Sequence, residues 1–228
     1  MDWHKTDPEW MERFAHFAFD QVPNEPKEQL EEKTRCMAVL AALIGCGGVD
    51  AYREMLPKAL QQGVAPESVK EIVYQATAYL GYGRMMPLLE ATNAVLARMG
   101  VALPLETQAT TTIEDRLEKG AQAQAEIFGD AMREAWKKGT INRWLAENCF
   151  GDYYTRKGLT LAEREMITFC FLMAQGGCEP QLIAHAKGNM NVGNNPDVLM
   201  RVVSQCLPYI GYPRSLNALN CIRQAAEG

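Results

Sequence analysis

Four residues near the C-terminal end of the chain, Cys178, Gln181, His185 and Asn189, stand at i, i+3, i+7 and i+11. On a helix, that spacing lines all four along one face. An imidazole, a thiol and two amides on one stripe can bind a polar ligand and move a proton, because histidine titrates nearest neutral pH. A carboxylate to partner the imidazole is offered upstream by Glu165, which sits beside Arg164 at the head of the apolar run Met166–Ala174. In an apolar cavity such a carboxylate and imidazole form a proton-transfer pair, since burial and the neighbouring charge tune both groups. Taken singly, each residue also has a plainer reading: a core histidine, a first-turn glutamate, a packed thiol, a turn asparagine.

Comparison of the chain with itself favours the chemical reading. At a shift of 130 residues, ten identities fall within positions 33–93, among them Gly63 with Gly193, Pro66 with Pro196 and Gln75 with Gln205. The pattern Tyr-x-Gly-Tyr-x-Arg recurs whole, at 79–84 and 209–214, so the chain is a tandem duplication. The counterparts of Cys178, Gln181, His185 and Asn189 are Gly48, Ala51, Met55 and Ala59, and Arg164-Glu165 corresponds to Thr34-Arg35. One copy carries an ionisable stripe where its duplicate is small and apolar. Folding therefore does not demand the stripe, and function is the better reason for it.

The elements that must position these residues read as helical. Asp7-Pro8-Glu9 has the composition of a helix start, and Trp10, Phe14 and Phe17 then share a face. A buried helix spans Cys36–Ile44 and stops at the glycines that follow. Further helices run from about Asp50 to Gly63, from Pro66 to Tyr79 and from Arg84 to Gly100. The second copy repeats this order, preceded by helices expected at Ile113–Lys138 and Ile141–Cys149. Alternating β-branched runs and hairpin signals are scarce, so the fold is expected to be all-α. The expected organisation is an N-terminal repeat over 1–103 with a degenerate site, a polar linker over 104–115, and a C-terminal repeat over 116–228 that carries the working site.

Composition narrows the setting. The 228 residues carry 23 lysines and arginines against 28 aspartates and glutamates, a formal charge of −5, with no basic run. A nucleic-acid surface or a polybasic membrane patch is therefore not expected. The apolar runs are too short to span a bilayer, and the first residues lack the charged-then-apolar layout of an export signal. Seven cysteines with no C-x-x-C pair point to a soluble chain in a reduced, cytoplasmic compartment. Only His4, His16 and His185 are present, none at ligand spacing from a cysteine pair, so no metal site is expected.

Several segments, in order, resemble a known family. They are Phe150-Gly151-Asp152-Tyr153-Tyr154-Thr155-Arg156-Lys157-Gly158-Leu159, then Arg164-Glu165-Met166-Ile167-Thr168, then Gln181-Leu182-Ile183-Ala184-His185, Gly193, and Pro208-Tyr209-Ile210-Gly211-Tyr212-Pro213. Together they resemble the carboxymuconolactone decarboxylase family of the alkylhydroperoxidase D-like superfamily, closely from about Arg116 onward and more loosely from Trp10 to Gly100. The resemblance implies two tandem repeats of the alkylhydroperoxidase D-like helical fold. It also implies trimers of two-repeat chains and a site between helices. The superfamily's peroxidase branch uses a cysteine pair, but here Gln181 stands in the place of the second cysteine after Cys178.

The decarboxylase branch needs no cofactor, and its substrate class is a small carboxylated lactone or related organic acid. On that resemblance His185 is the expected acid/base and Glu165 its partner. Arg164, Arg156 or Arg214 would grip a substrate carboxylate, alongside Gln181 and Asn189. Arg214 has its own duplicate, Arg84, and so also reads as structural, as do Tyr209 and Tyr212. Two alternatives stay open: a peroxiredoxin-type enzyme using Cys178, and a non-catalytic helical oligomer that binds a small ligand.

Overall fold

The computed structural model describes residues 3–227. Met1 and Asp2, part of the segment read above for an export signal, lie outside the described residues, as does Gly228. The main helices of the first copy are α1 (Pro8–Ala15), α2 (Glu32–Gly45), α3 (Val49–Gln61), α4 (Pro66–Leu80) and α5 (Tyr82–Arg98). After an irregular segment come α6 (Arg116–Phe128), α7 (Thr140–Trp144), α8 (Leu161–Gln175), α9 (Glu179–Asn191), α10 (Pro196–Ile210) and α11 (Tyr212–Glu227). No strand occurs among the described residues, and no helix there is long and apolar enough to cross a membrane.

The duplication is literal in three dimensions. Both ends of α3 and α9 differ by 130, as do both ends of α4 and α10. Both copies also widen in the same place: α1 runs into a π-helical stretch at His16–Gln21, and α7 into a longer one at Leu145–Tyr154. Such wide turns are rare and occur frequently at functional sites. They were not legible as a departure from the 3.6-residue period. The single helix expected over 113–138 is in fact broken after Phe128, where Gly129 adopts φ 94°, a left-handed conformation that favours glycine.

The two copies share one core. Helices α2 and α8 are apolar nearly all round and lie against each other at its centre. A side chain at Gly45 would bring its Cβ to 2.7 Å from the carbonyl oxygen of Phe171, so this approach requires glycine. A capping box starts α8: the Thr160 hydroxyl accepts from the Glu163 amide at 3.2 Å, and Glu163 accepts in return from the Thr160 amide at 2.8 Å. The copies also exchange side chains. Gln75 of α4 bonds to α8, while its duplicate Gln205 of α10 donates to the carbonyls of Val22 and Glu28 in the first copy. The cavity of the second copy is walled partly by the first, through Ala78 and Tyr79.

Candidate active site

Helices α8 and α9 bring Glu165 and His185 together, with His185 lining a cavity of about 660 Å³ and Glu165 buried behind it. His185 Nδ1 lies 2.9 Å from Glu165 Oε2, and the carboxylate is fully buried. The imidazole is held edge-on between the rings of Tyr79 and Phe128, at centroid distances of 5.4 and 5.3 Å. Gly188, one turn beyond His185, makes room for this arrangement. A Cβ there would stand 2.7 Å from Glu165 Oε2 and 2.9 Å from the Phe128 ring.

The wide turn after α7 supplies the rest of the polar centre. In a π-helix one turn takes between four and five residues, so Leu145, Cys149 and Tyr154 fall on one side. Leu145 and Cys149 line the cavity, and Tyr154 reaches the carboxylate behind it, donating to Glu165 Oε1 at 2.6 Å. The Tyr154 oxygen also lies 2.8 Å from Thr168 Oγ1 and 2.8 Å from the Tyr79 hydroxyl. Burial first, and then the Glu165 charge, push the Tyr154 phenol well above its ordinary range. Burial likewise pushes the Cys149 thiol up to about 12, and this thiol donates to the Tyr79 oxygen at 3.6 Å.

The other residues singled out from the sequence separate into three places. Cys178 and Gln181 line the same cavity as His185. The Cys178 thiol donates to the Leu172 carbonyl at 3.4 Å and accepts from Gln175 at 3.5 Å. Asn189 is buried behind the pair, where its amide donates to the main-chain carbonyls of Glu165 and His185 at 2.9 and 2.8 Å. It ties α9 to α8 and does not face the cavity.

The expectation that Arg164 or Arg156 holds a substrate carboxylate in this cavity needs correction. Both guanidiniums engage Glu71 of α4 instead, Arg164 Nη2 at 3.1 Å and Arg156 Nη2 at 2.9 Å. A fully buried carboxylate on the neighbouring copy claims them, and Arg156 faces a separate hollow of about 450 Å³. Arg214 does not line the cavity either; its Nε lies near Gly176, beside the rim. The duplicate arginine, Arg84, donates to the rim residue Gln175 at 3.0 Å.

The sequence reading passed over Tyr154, Thr168, Gln75 and Tyr79. Tyr154 and Thr168 carried a signal, since their duplicates are Asn24 and Ala38. Tyr79 and Gln75 did not, because both residues are shared by the two copies. In the first copy, Arg35 stands at the position of Glu165 and pairs with Glu32, and Met55 replaces the imidazole, so no proton-transfer pair forms there.

Comparison with known proteins extends the geometry. A family model described as the carboxymuconolactone decarboxylase family matches this chain twice, over residues 8–94 and 140–224. The chain is also similar to the 4-carboxymuconolactone decarboxylase of Acinetobacter baylyi. The two are 26% identical over 113 residues, which is 47% of this chain and 84% of that protein.

Proposed function

The chain belongs to the carboxymuconolactone decarboxylase family, in two copies, and on that footing we propose that it is a cofactor-independent lyase acting on a small carboxylated lactone or related organic acid. The observation that carries this reading is the 2.9 Å contact between His185 Nδ1 and Glu165 Oε2 at the cavity wall. With Nδ1 engaged, Nε2 is the nitrogen that serves the cavity.

Loss of carbon dioxide from an unsaturated lactone breaks one carbon–carbon bond, and its electron pair moves through the conjugated system to the lactone carbonyl as an enolate. One proton must then reach carbon, so each turnover consumes one. An anionic substrate in an apolar cavity favours the protonated imidazole. His185 accordingly takes a proton at Nε2 as the anion binds and delivers it after carbon dioxide leaves, while Glu165 stabilises the imidazolium and orients the ring. The carboxylates that remain on the substrate face the rim, where Arg84 and Arg214 supply positive charge. Seven unpaired cysteines suit a reducing, cytoplasmic setting.

The peroxidase alternative has one feature in its favour, because Cys178 and Cys149 both line the cavity. The raised Cys149 thiol is a poor partner for a disulfide cycle, since the thiolate is the reacting form. Selective conversion of Cys178 to the sulfenic acid by hydrogen peroxide, trapped with dimedone, would support that alternative; uniform labelling of the thiols counts against it.

The lyase reading is tested by His185→Ala. The variant should keep its helical content and lose turnover of a muconolactone-type acid. Undiminished turnover would remove the role given to His185.

A further inference from the structure

Behind the cavity, a run of buried side chains joins Arg164 to His185, and its donors can be ordered without ambiguity. We propose that Arg164, Gln75, Thr168 and Tyr154 are positioning residues that together keep the proton of His185 on Nδ1 and leave Nε2 bare toward the cavity.

The order starts at the guanidinium, which can only donate. Arg164 Nη1 donates to Gln75 Oε1 at 2.8 Å. The other end of the same amide, Nε2, faces the main-chain carbonyl of Arg164 at 3.0 Å, and a carbonyl can only accept. Both contacts fix the amide one way round, a choice that is otherwise open for glutamine. Gln75 Nε2 also donates to Thr168 Oγ1 at 2.8 Å. Having accepted there, the Thr168 hydroxyl turns its one proton to the Tyr154 oxygen at 2.8 Å.

Tyr154 is then committed in turn. Its oxygen accepts from Thr168, and its own proton goes to Glu165 Oε1 at 2.6 Å, the shortest contact of the set and one made to a charged acceptor. Tyr79 fills the remaining acceptor site on Tyr154 at 2.8 Å and itself accepts from the Cys149 thiol. Every hydroxyl therefore points toward Glu165. The raised Tyr154 phenol keeps its proton and acts as a donor throughout. With Tyr154 donating to Oε1, the other oxygen, Oε2, receives the N–H of His185 Nδ1. A neutral imidazole has one N–H, so Nε2 carries none.

The run crosses from one copy to the other. Gln75 and Tyr79 stand on α4 of the first copy, which has no proton-transfer pair of its own, and they serve the second copy's site. In the mirrored position Gln205 is spent on main-chain carbonyls, and Ala38 and Asn24 replace the two hydroxyls. The polarity thus exists on one side only.

The inference rests on the proton-handling role given to His185 above and on no particular substrate. It is tested on the full chain labelled with ¹⁵N-histidine, without substrate, by side-chain NMR near pH 7.5. Only three histidines contribute, and the His185 signals are those lost in His185→Gln. The parent is expected to show Nδ1 as N–H and Nε2 as the bare, pyridine-like nitrogen.

Gln75→Glu is isosteric and keeps an ion pair with Arg164, but it has no donor. The Thr168 proton then turns to residue 75, the Tyr154 proton turns to Thr168, and Glu165 Oε1 loses its donor. The Glu165–His185 pair is expected to take up one proton from solvent, seen as an N–H at Nε2. Tyr154→Phe removes the donor directly and should give the same signature. An Nε2 that remains bare in Tyr154→Phe overturns the proposal, and that variant decides alone if Gln75→Glu does not fold. Because no substrate enters the measurement, its outcome is independent of whether the chain decarboxylates anything.

Discussion

At the scale of single residues, the account turns on one carboxylate whose two oxygens do different work. Glu165 Oε2 receives His185, and Oε1 receives Tyr154. Replacing Glu165 with Gln keeps the shape but removes the charge that stabilises an imidazolium. General acid–base catalysis contributes on the order of 10²–10⁴-fold, and Glu165→Gln should lower kcat within that range in steady-state assays with the fold intact. A second prediction concerns Arg164, fully buried and paired with Glu71. Arg164→Met leaves a buried carboxylate with Arg156 as its cation, and breaking such a pair from one side costs about 3–5 kcal/mol. Chemical denaturation should show a loss of that order, against less than about 0.5 kcal/mol for Arg53→Met, an exposed surface site.

At the scale of elements, the close approaches of helices are the sensitive points. Helix α9 can carry His185 past both Glu165 and α6 because residue 188 has no side chain. Gly188→Ala forces either the carboxylate or Phe128 to move, and overpacking of this kind costs about 1–3 kcal/mol. A lowered melting temperature together with a displaced Glu165 in a crystal structure of the variant is expected; an unchanged melting temperature would show that the gap is slack. The helices themselves were largely legible, because proline-led starts, glycine stops and apolar periodicity are local signals. The stripe of Cys178, Gln181 and His185 was legible too, since the duplicate provided an internal control. Arg164 was misjudged because its partner, Glu71, lies 93 residues away in sequence, and no local pattern announces a buried ion pair. Tyr79 carries no signal of its own, because both copies hold it. A residue shared by two copies can still serve one site, as Tyr79 on α4 of the first copy does at the cavity of the second.

At the scale of the whole molecule, the buried phenols and thiols set the alkaline limit of stability. Burial raises Cys149 to about 12 and holds Tyr52, Tyr79 and Tyr154 above their ordinary values. In the unfolded chain a thiol ionises near 8.5 and a phenol near 10, so above those values the unfolded state has lost protons that the folded state keeps. Stability from these groups is complete below the unfolded values and is lost as pH climbs toward the folded ones, by up to about 1.4 kcal/mol per group per pH unit. The melting temperature should fall steeply between about pH 9 and pH 11, and a flat profile there would contradict the burial of these groups. Assembly is a separate matter. Tyr82 and Tyr212 occupy matching positions in the two copies, and both are exposed. The expected trimer can be checked by light scattering, and a monomer mass of 25.4 kDa would exclude it.

The central claim is that His185, backed by Glu165, supplies the proton that replaces carbon dioxide. Turnover of a carboxylated unsaturated lactone in D₂O, followed by mass spectrometry and NMR of the product, tests it most directly. The account predicts one deuterium on one face of a single carbon for each carbon dioxide released, with both events lost in His185→Ala. Carbon dioxide release that persists in His185→Ala, or deuterium scrambled over both faces, would contradict it.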